Sequence, residues 1–192
     1  MNSSEAEKIV NSLLDIFILS GNVSLDLRKK GLEKKFKSDN TPVTNGDIEI
    51  NNLLTSKITS LTPNIKIISE ETSANKNNNN LQDFWLIDPI DGTYDYILGK
   101  EEFTINAALI INKKPVAGII NAPDKKRLFY SFGLSNSFEQ NNGSKKKLTC
   151  KKKSKDNEIN AVSYSNNLKP EITVVHKKYN ITNYTKMKSS LI

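Results

Sequence analysis

Two carboxylates and a hydroxyl lie within one short stretch, Asp88–Thr93, directly after the apolar residues 84–87. Proline fixes the backbone φ and has no N–H, and Asp-Gly favours a turn, so we expect the acids to be held on a stiff arc. Carboxylates this close repel each other unless a proton or a cation lies between them, and such oxygen ligands favour Mg²⁺, Mn²⁺ or Ca²⁺. A divalent metal site is the first hypothesis, and the alternative is an Asx-type turn that caps a following helix.

Further acids follow a second predicted strand. Residues 64–69 are rich in β-branched side chains and follow a proline turn, and they lead directly into Glu70 and Glu71. In layered α/β arrangements, polar groups at strand ends meet where the connecting loops open to solvent. Glu70 is therefore expected to approach Asp88 and Asp91.

A third acid precedes an apolar-periodic segment. Thr44 is followed three residues later by Asp47, and apolar residues then recur through Ile58. This spacing fits a capping-box-like start of a helix, which by itself would explain both residues.

The elements that must position these acids follow from the periodicity of the apolar side chains. Helices followed by a run of strands predict an α+β fold. Helices are predicted near residues 5–29 and 44–60, and another helix from Thr93. Strands are predicted near residues 65–69, 84–88, 103–112, 115–121, 127–132, 147–150, 159–164 and 172–176.

Taken in order, the acidic segments resemble the inositol monophosphatase superfamily of Mg²⁺-dependent, lithium-sensitive phosphatases. The family pattern is a Thr-Pro-Val-Thr-x-x-Asp helix start, a strand ending in Glu-Glu and a strand ending in Asp-Pro-(Ile/Leu)-Asp-Gly-Thr. The chain has these at residues 41–47, 70–71 and 88–93. Residues 69–71, 102–110 and 114–123 look most like the 3'(2'),5'-bisphosphate nucleotidase branch.

The resemblance implies a role for each matching residue. Mg²⁺ would be the cofactor, with two or three ions in complete members, and Asp47 and Thr93 would position and deprotonate the attacking water. The substrate phosphate would bind at Asp91, Gly92 and Thr93, because N–H groups at a helix start form an anion site. The implied metal ligands are Glu70, Asp88 and Asp91 through their carboxylates and Ile90 through its backbone carbonyl.

Other positions near the turn are left open. Glu71 either orients a water beyond the direct metal ligands or is a solvated neighbour. Tyr94 and Asp95 depart from the residue pair that this branch usually has, and Tyr94 either faces the site or covers it.

The resemblance also implies an incomplete fold. Family members continue into a segment with a Trp-Asp dipeptide whose aspartate completes a metal site, whereas the only tryptophan here is Trp85, in a predicted core strand. We therefore expect a C-terminally truncated member of a layered α-β-α-β-α sandwich of the sugar phosphatase type. Residues 1–132 would form the N-terminal α+β domain with the metal site, and residues 133–192 a partial C-terminal α/β domain.

Composition argues against three other classes of protein: nucleic-acid-binding, membrane-spanning and secreted. The net charge is +7, and lysines cluster at residues 145–147 and 151–155, but no aromatic residue lies between Phe138 and Tyr164, so we expect no specific nucleic-acid binding. Ile9–Leu19 is too short for the roughly 20 apolar residues of a membrane span. A basic signal-peptide start is absent, which predicts a cytoplasmic location. His176 is expected to have a surface or capping role.

The first functional hypothesis is a metal-dependent phosphomonoesterase. It would remove the 3'-phosphate of adenosine 3',5'-bisphosphate in sulfur assimilation, giving AMP. One alternative is an inositol or sugar monophosphate phosphatase, and another is a truncated, non-catalytic remnant that binds metal only. The expected partner is a small phosphorylated substrate, and a homodimer is possible.

Overall fold

A computed structural model describes residues 1–72, 80–149, 159–163, 165 and 167–186. The chain forms two compact units, Met1–Thr149 and Cys150–Ile192.

The first unit combines helices with a mixed sheet, which confirms the predicted α+β class. Its helices in the described residues are α1 (Ser3–Lys30), α2 (Asn45–Leu61) and α3 (Thr93–Ile97). Its strands there are β1 (Lys34–Phe36), β2 (Pro42–Thr44), β3 (Lys66–Ser69), β4 (Phe84–Asp91), β5 (Thr104–Ile111), β6 (Lys114–Ala122), β7 (Arg127–Phe132), β8 (Ser137–Asn141) and β9 (Ser144–Lys147). The helices and strands predicted as far as residue 132 are confirmed within a few residues.

The main sheet has the order β3-β4-β5-β6-β7-β8-β9. Strand β3 pairs with β4 in parallel, and every following pair is antiparallel. Strands β1 and β2 form a separate antiparallel hairpin just before α2. The parallel pairing of β3 with β4 places Ser69 opposite Ile87, so Glu70, directly after β3, lies beside Asp88 near the end of β4.

Helices α1 and α2 pack against each other and against one face of the sheet. Alternate residues of β7 are buried, as expected for a strand with one covered face. The core between the helices and the sheet contains Val10, Leu13, Phe17, Ile50, Leu54, Ile58, Trp85, Ile87, Leu109 and Ile119. Burial of this apolar surface holds the helix that carries Asp47 against the strand that carries the predicted metal ligands.

Helix α1, Ser3–Lys30, is longer than the apolar stretch Ile9–Leu19, which by itself is too short to span a membrane. By length and composition alone it could cross a membrane. In this structure, however, Val10, Leu13 and Phe17 of α1 are fully buried in the core. We therefore interpret α1 as a core helix of the first unit.

The prediction ended strand β4 at Asp88, but the strand continues to Asp91. Its pairing with β5 shifts between Asp88, which lies opposite Asn106, and Asp91, which lies opposite Thr104. A bulge of this kind accommodates Pro89, which has no N–H to donate to a neighbouring strand. The bulge leaves both aspartates at the end of the strand, next to the turn into α3.

The predicted domain boundary at residues 132 and 133 falls inside the main sheet. Strands β8 and β9 continue the sheet, and the first compact unit extends to Thr149. Part of the predicted basic cluster forms β9: Lys145 Nζ lies 4.4 Å from the Phe138 ring centroid, and Lys146 lies opposite Glu139. Lysines on an outer strand oppose further strand pairing. Residues 151–155 lie outside the described residues.

In the second unit, β10 (Asn160–Ser163) and β11 (Asn183–Lys186) pair in parallel, and α4 (Pro170–Lys178) connects them. The predicted strand near 172–176 is therefore wrong. Its β-branched residues favoured a strand, but Pro170 at the first helical position presets the helical φ. His176 lies in the last turn of α4, with its ring centroid 5.7 Å from that of Tyr184.

Candidate active site

Asp47 lies in the first turn of α2, where a capping box fixes its carboxylate. Its Oδ2 accepts hydrogen bonds from the Thr44 backbone N–H at 2.8 Å and from the Thr44 hydroxyl at 2.6 Å. The predicted capping box is confirmed, and Asp47 has a further contact that capping does not require. Its other oxygen, Oδ1, is the one that faces Thr93.

Asp47 is only 1% exposed. Burial raises the pKa of its carboxyl, and hydrogen bonds from Thr44 and Thr93 offset part of that effect. A buried carboxylate with a raised pKa is a stronger proton acceptor than a solvated one. The capping contacts hold it in one orientation, so it can receive a proton from one direction.

Thr93 begins α3 and connects Asp47 with the bulged strand. Its Oγ1 lies 3.3 Å from Asp47 Oδ1 and 3.0 Å from the backbone oxygen of Ile90. The hydroxyl has one proton and two acceptors, so it can pass a proton to Asp47 while keeping its place. The Ile90 carbonyl, a predicted metal ligand, has a second lone pair beside the one that accepts from Thr93.

Gly92 makes the turn between β4 and α3 possible. Its φ is +87°, and a Cβ at this position would lie 2.8 Å from the backbone oxygen of Glu102. Only glycine combines this left-handed conformation with so close an approach. The turn therefore brings Thr93 next to Asp91, although α3 itself is only five residues long.

Asp88 has a buried oxygen, Oδ1, for which the described residues provide no hydrogen-bond partner. Burial, the negative charges of Glu70 and Asp91, a hydrogen bond with Glu70 and the charge of Asp47 raise the pKa of Asp88 to about 8. The charges of Glu70 and Asp91 thus disfavour the charged form of Asp88. This electrostatic environment fits a divalent cation, which the buried Asp88 oxygen would coordinate and which would offset the negative charge of the three carboxylates.

Lys37 lies beside these acids and was not predicted to take part. Its Nζ is 2.9 Å from Glu70 Oε1 and 2.8 Å from Glu71 Oε1. Burial alone would lower the pKa of Lys37, but the hydrogen bonds and charges of Glu71 and Glu70 raise it. The sequence offered one signal for this role: Lys37 directly precedes the hairpin turn and lies in the same segment as Asp47.

The two adjacent glutamates differ in exposure. The side chain of Glu71 is 5% exposed and that of Glu70 is 45% exposed. Burial raises the pKa of Glu71, and the hydrogen bond from Lys37 opposes this. Glu71 is therefore a buried partner of Lys37. Of the two interpretations of Glu71 from the sequence, that of a solvated neighbour is wrong.

Ser69 fixes the end of β3. Its hydroxyl lies 2.5 Å from Asn51 Oδ1 on α2 and accepts a hydrogen bond from the Glu71 backbone N–H at 3.3 Å. The strand end that carries both glutamates is thereby attached to the helix that carries Asp47.

No group of three or more His, Cys, Asp or Glu side chains in the described part of the chain is arranged to hold a metal ion as the side chains stand. Glu70 Oε1 lies 2.9 Å from the Lys37 ammonium group, whose positive charge opposes a cation at the same place.

The two unexplained residues after Thr93 have different surroundings. Asp95 is buried and accepts a hydrogen bond from Lys100 Nζ at 2.9 Å, which closes the loop after α3. Tyr94 is 67% exposed. Asp95 is thus explained by the local fold, whereas Tyr94 leaves most of its surface open to solvent.

Comparisons with known proteins identify the family to which the chain belongs. The model of the inositol monophosphatase family matches residues 12–191. The chain is 34% identical over 145 residues to the 3'(2'),5'-bisphosphate nucleotidase CysQ of Haemophilus influenzae, covering 74% of this chain and 54% of that protein. It is 38% identical over 121 residues to the CysQ of Buchnera aphidicola, covering 62% and 46%. The chain spans about half the length of these curated relatives.

Solved structures show the same fold. The extragenic suppressor protein suhB of Bartonella henselae superposes with a TM-score of 0.75 at 17% identity, covering 95% of this chain and 71% of that one. The CysQ of Bacteroides thetaiotaomicron, described as a bacterial member of the inositol monophosphatase family, has a TM-score of 0.65 at 21% identity, covering 94% and 72%.

Proposed function

Because the chain belongs to the inositol monophosphatase family, we propose that it acts as a divalent-metal-dependent phosphomonoesterase on adenosine 3',5'-bisphosphate. One observation carries the catalytic part of this proposal: the Thr93 hydroxyl lies between the buried Asp47 carboxylate and the turn that holds the predicted metal ligands. Nucleophilic water needs a proton acceptor, and this pair provides one beside the acids.

The residues that would hold the metal are Glu70, Asp88, Asp91 and the carbonyl of Ile90. Asp88 Oδ1 is buried and has no hydrogen-bond partner among the described residues, and this oxygen and the raised pKa of Asp88 fit Mg²⁺ or Mn²⁺. When bound, such an ion supplies positive charge against the anionic phosphate ester and lowers the pKa of a bound water.

The chain's own groups would carry out the remaining tasks. Thr93 orients the nucleophile and transfers its proton to Asp47, whose burial favours the protonated product. Asp91, Gly92 and Thr93 form the turn at which the phosphate binds. Lys37 holds the buried Glu71 in place through a 2.8 Å contact.

The choice of substrate is supported by the curated relatives. The nucleotidases from Haemophilus influenzae and Buchnera aphidicola are 34% and 38% identical over the matched residues. We extend their named nucleotidase activity to this chain. The location in the cytoplasm and the role in sulfur metabolism are proposed from the sequence. A homodimer stays an expectation.

The test is an assay of the purified chain with Mg²⁺ on adenosine 3',5'-bisphosphate and, in parallel, on inositol 1-phosphate. We expect release of phosphate from the nucleotide, with a higher kcat/KM than for the inositol ester. Preference for the inositol ester would contradict the substrate proposal. Absence of phosphate release from both would favour the third hypothesis, a protein that binds metal without turnover.

A further inference from the structure

Two short helical turns face each other behind the candidate site. The first turn of α2 carries Gly46 and Asp47, and α3 carries Thr93 and, three residues later, Tyr96. Residues three apart on a helix lie on the same side, so Thr93 and Tyr96 both face α2. The two turns therefore make two contacts, one between Asp47 and Thr93 and one between Gly46 and Tyr96.

The second contact is unusually close. A Cβ added to Gly46 would lie 2.7 Å from the Tyr96 hydroxyl oxygen, 2.9 Å from its Cε1 and 3.1 Å from Thr44 Oγ1. Real Cβ atoms essentially never approach a heavy atom below 3.0 Å. The present separation of the two turns therefore requires a residue without a side chain at position 46.

Tyr96 cannot move away to relieve such a clash. Its side chain is fully buried, and its hydroxyl donates a 2.7 Å hydrogen bond to the backbone oxygen of Ser24 on α1. Its ring packs 4.8 Å from the Phe103 ring, between centroids, and the Arg28 guanidinium lies 5.8 Å from its centroid. The hydroxyl of Tyr96 is thus fixed by its hydrogen bond, and the ring is fixed by its packing against Phe103 and Arg28.

The contact between Asp47 and Thr93 depends on the same separation. Their oxygens are 3.3 Å apart, beyond the usual range for a hydroxyl donor. A displacement of either turn by a fraction of an ångström would break this hydrogen bond. Asp47 directly follows Gly46 in the chain, so a shift at Gly46 moves the carboxylate with it.

We propose that Gly46 and Tyr96 form a positioning pair that sets the separation of Asp47 from Thr93. Neither residue touches the reacting groups, and the pair acts through the distance between two helical turns. The inference rests on the proposed function, in which Thr93 transfers a proton to Asp47.

The experiment compares the full chain with its Gly46→Ala, Tyr96→Phe, Gly46→Ala/Tyr96→Phe and Gly21→Ala variants. Phenylalanine lacks the hydroxyl and the attachment to Ser24, so its ring can shift to admit the new methyl group. Gly21→Ala is the matched control, because its Cβ would lie 2.6 Å from Asn121 Nδ2 and so introduces an equally close contact against other partners. The readouts are the distance between Thr93 Oγ1 and Asp47 Oδ1 in crystal structures, and kcat and KM on adenosine 3',5'-bisphosphate with Mg²⁺.

We expect Gly46→Ala to lengthen the distance between these oxygens and to lower kcat on the order of a hundredfold. KM should stay within about threefold, because the loss concerns the transition state. Tyr96→Phe should restore the distance and raise kcat by about tenfold or more in the Gly46→Ala background. Gly21→Ala should leave the distance and kcat close to those of the unaltered chain.

An unchanged distance in Gly46→Ala would overturn the inference. So would a Tyr96→Phe change that lowers kcat by the same factor with and without Gly46→Ala. If Gly46→Ala does not fold, recovery of a folded double variant with the original distance supports the pair, and failure of both variants overturns it. If the unaltered chain releases no phosphate, the proposed function fails, and the crystallographic distances still decide the inference.

Discussion

The Thr93 hydroxyl oxygen lies 3.3 Å from Asp47 Oδ1, so one hydrogen bond connects the start of α2 with the turn that follows β4. The carboxylate is held on its other side by Thr44. A threonine that touches both a buried acid and the strand end carrying the predicted ligands is suited to transfer a proton. The predictions below test this arrangement and the elements that maintain it.

Asp47→Asn removes the proton acceptor and retains the shape of the side chain. We expect kcat to fall on the order of a hundred- to ten-thousandfold, because an amide cannot take the proton from Thr93. The amide oxygen can still accept from the Thr44 backbone, so the free energy of unfolding should change by about 1 kcal/mol or less. Phosphate release and urea denaturation measure the two effects. The exposed Asp26 provides the control, and an equal loss of kcat in Asp26→Asn would contradict the role of Asp47.

The stability of the metal-free protein should depend on the ionisation of Asp88. Its pKa is raised from 3.8 to about 8, so the folded state retains a proton that the unfolded chain releases. The stabilising contribution is fully present below pH 3.8 and is lost as the pH rises to about 8. Urea denaturation with a chelator, at several pH values across this window, measures the slope.

Two comparisons distinguish the contribution of Asp88 to this pH dependence from the contributions of other titrating groups. Asp88→Asn should flatten the decline in unfolding free energy between pH 3.8 and about 8. Saturating Mg²⁺ should also flatten it, because the cation favours the ionised carboxylate. A slope that is the same in the Asp88→Asn variant would show that Asp88 is not its source.

Lys37→Met should strengthen metal binding. The ammonium group is 2.9 Å from Glu70 Oε1, so it opposes a cation both by its charge and by occupying this carboxylate. We expect Mn²⁺ to bind about tenfold more tightly to the variant, measured by calorimetric titration. Lys35→Met is the matched control, because Lys35 is exposed on β1, two residues before Lys37, and its change should leave the affinity close to the original value. Weaker binding to the Lys37→Met protein would contradict the prediction.

Arg28→Lys should destabilise the first unit. The guanidinium binds both oxygens of Asp124 at 2.8 Å and the backbone oxygen of Lys100 at 3.0 Å, joining α1 to two loops. An ammonium group cannot reproduce this planar geometry, and we expect a loss of about 1.5–3 kcal/mol in the free energy of unfolding.

The control for this change is Lys29→Ala. Lys29 and Asp26 are both exposed and lie 3.9 Å apart, so the loss should be about 0.5 kcal/mol or less. Urea denaturation of both variants measures the difference. Equal losses in the two proteins would contradict the bracing role of Arg28.

Much of the first unit could be predicted from the sequence because its signals are local. The capping pair Thr44 and Asp47, the apolar period of α2 and the Asp-Gly turn each depend on neighbouring residues. The continuation of β4 beyond Asp88 was missed, because a bulge can carry a proline that a regular ladder excludes. The helix at Pro170–Lys178 was missed because its β-branched residues gave a misleading local preference.

The contacts of the candidate site were less predictable because they join distant parts of the chain. Lys37 and Glu71 are 34 residues apart, and Tyr96 and Ser24 are 72 apart. No periodicity in the sequence relates such pairs, and the fold must be known before their side chains can be placed together. The same holds for the close approach of Gly46 to Tyr96, which depends on the packing of three helices.

The most direct test of the account measures Mg²⁺ binding and phosphate release together, in the unaltered chain and in Asp91→Asn. We expect the unaltered chain to bind Mg²⁺ and to release phosphate from adenosine 3',5'-bisphosphate. Asp91→Asn, which removes one proposed ligand charge, should bind Mg²⁺ about tenfold or more weakly and lose this activity. Equal Mg²⁺ binding by both proteins, with no phosphate released by either, would contradict the account.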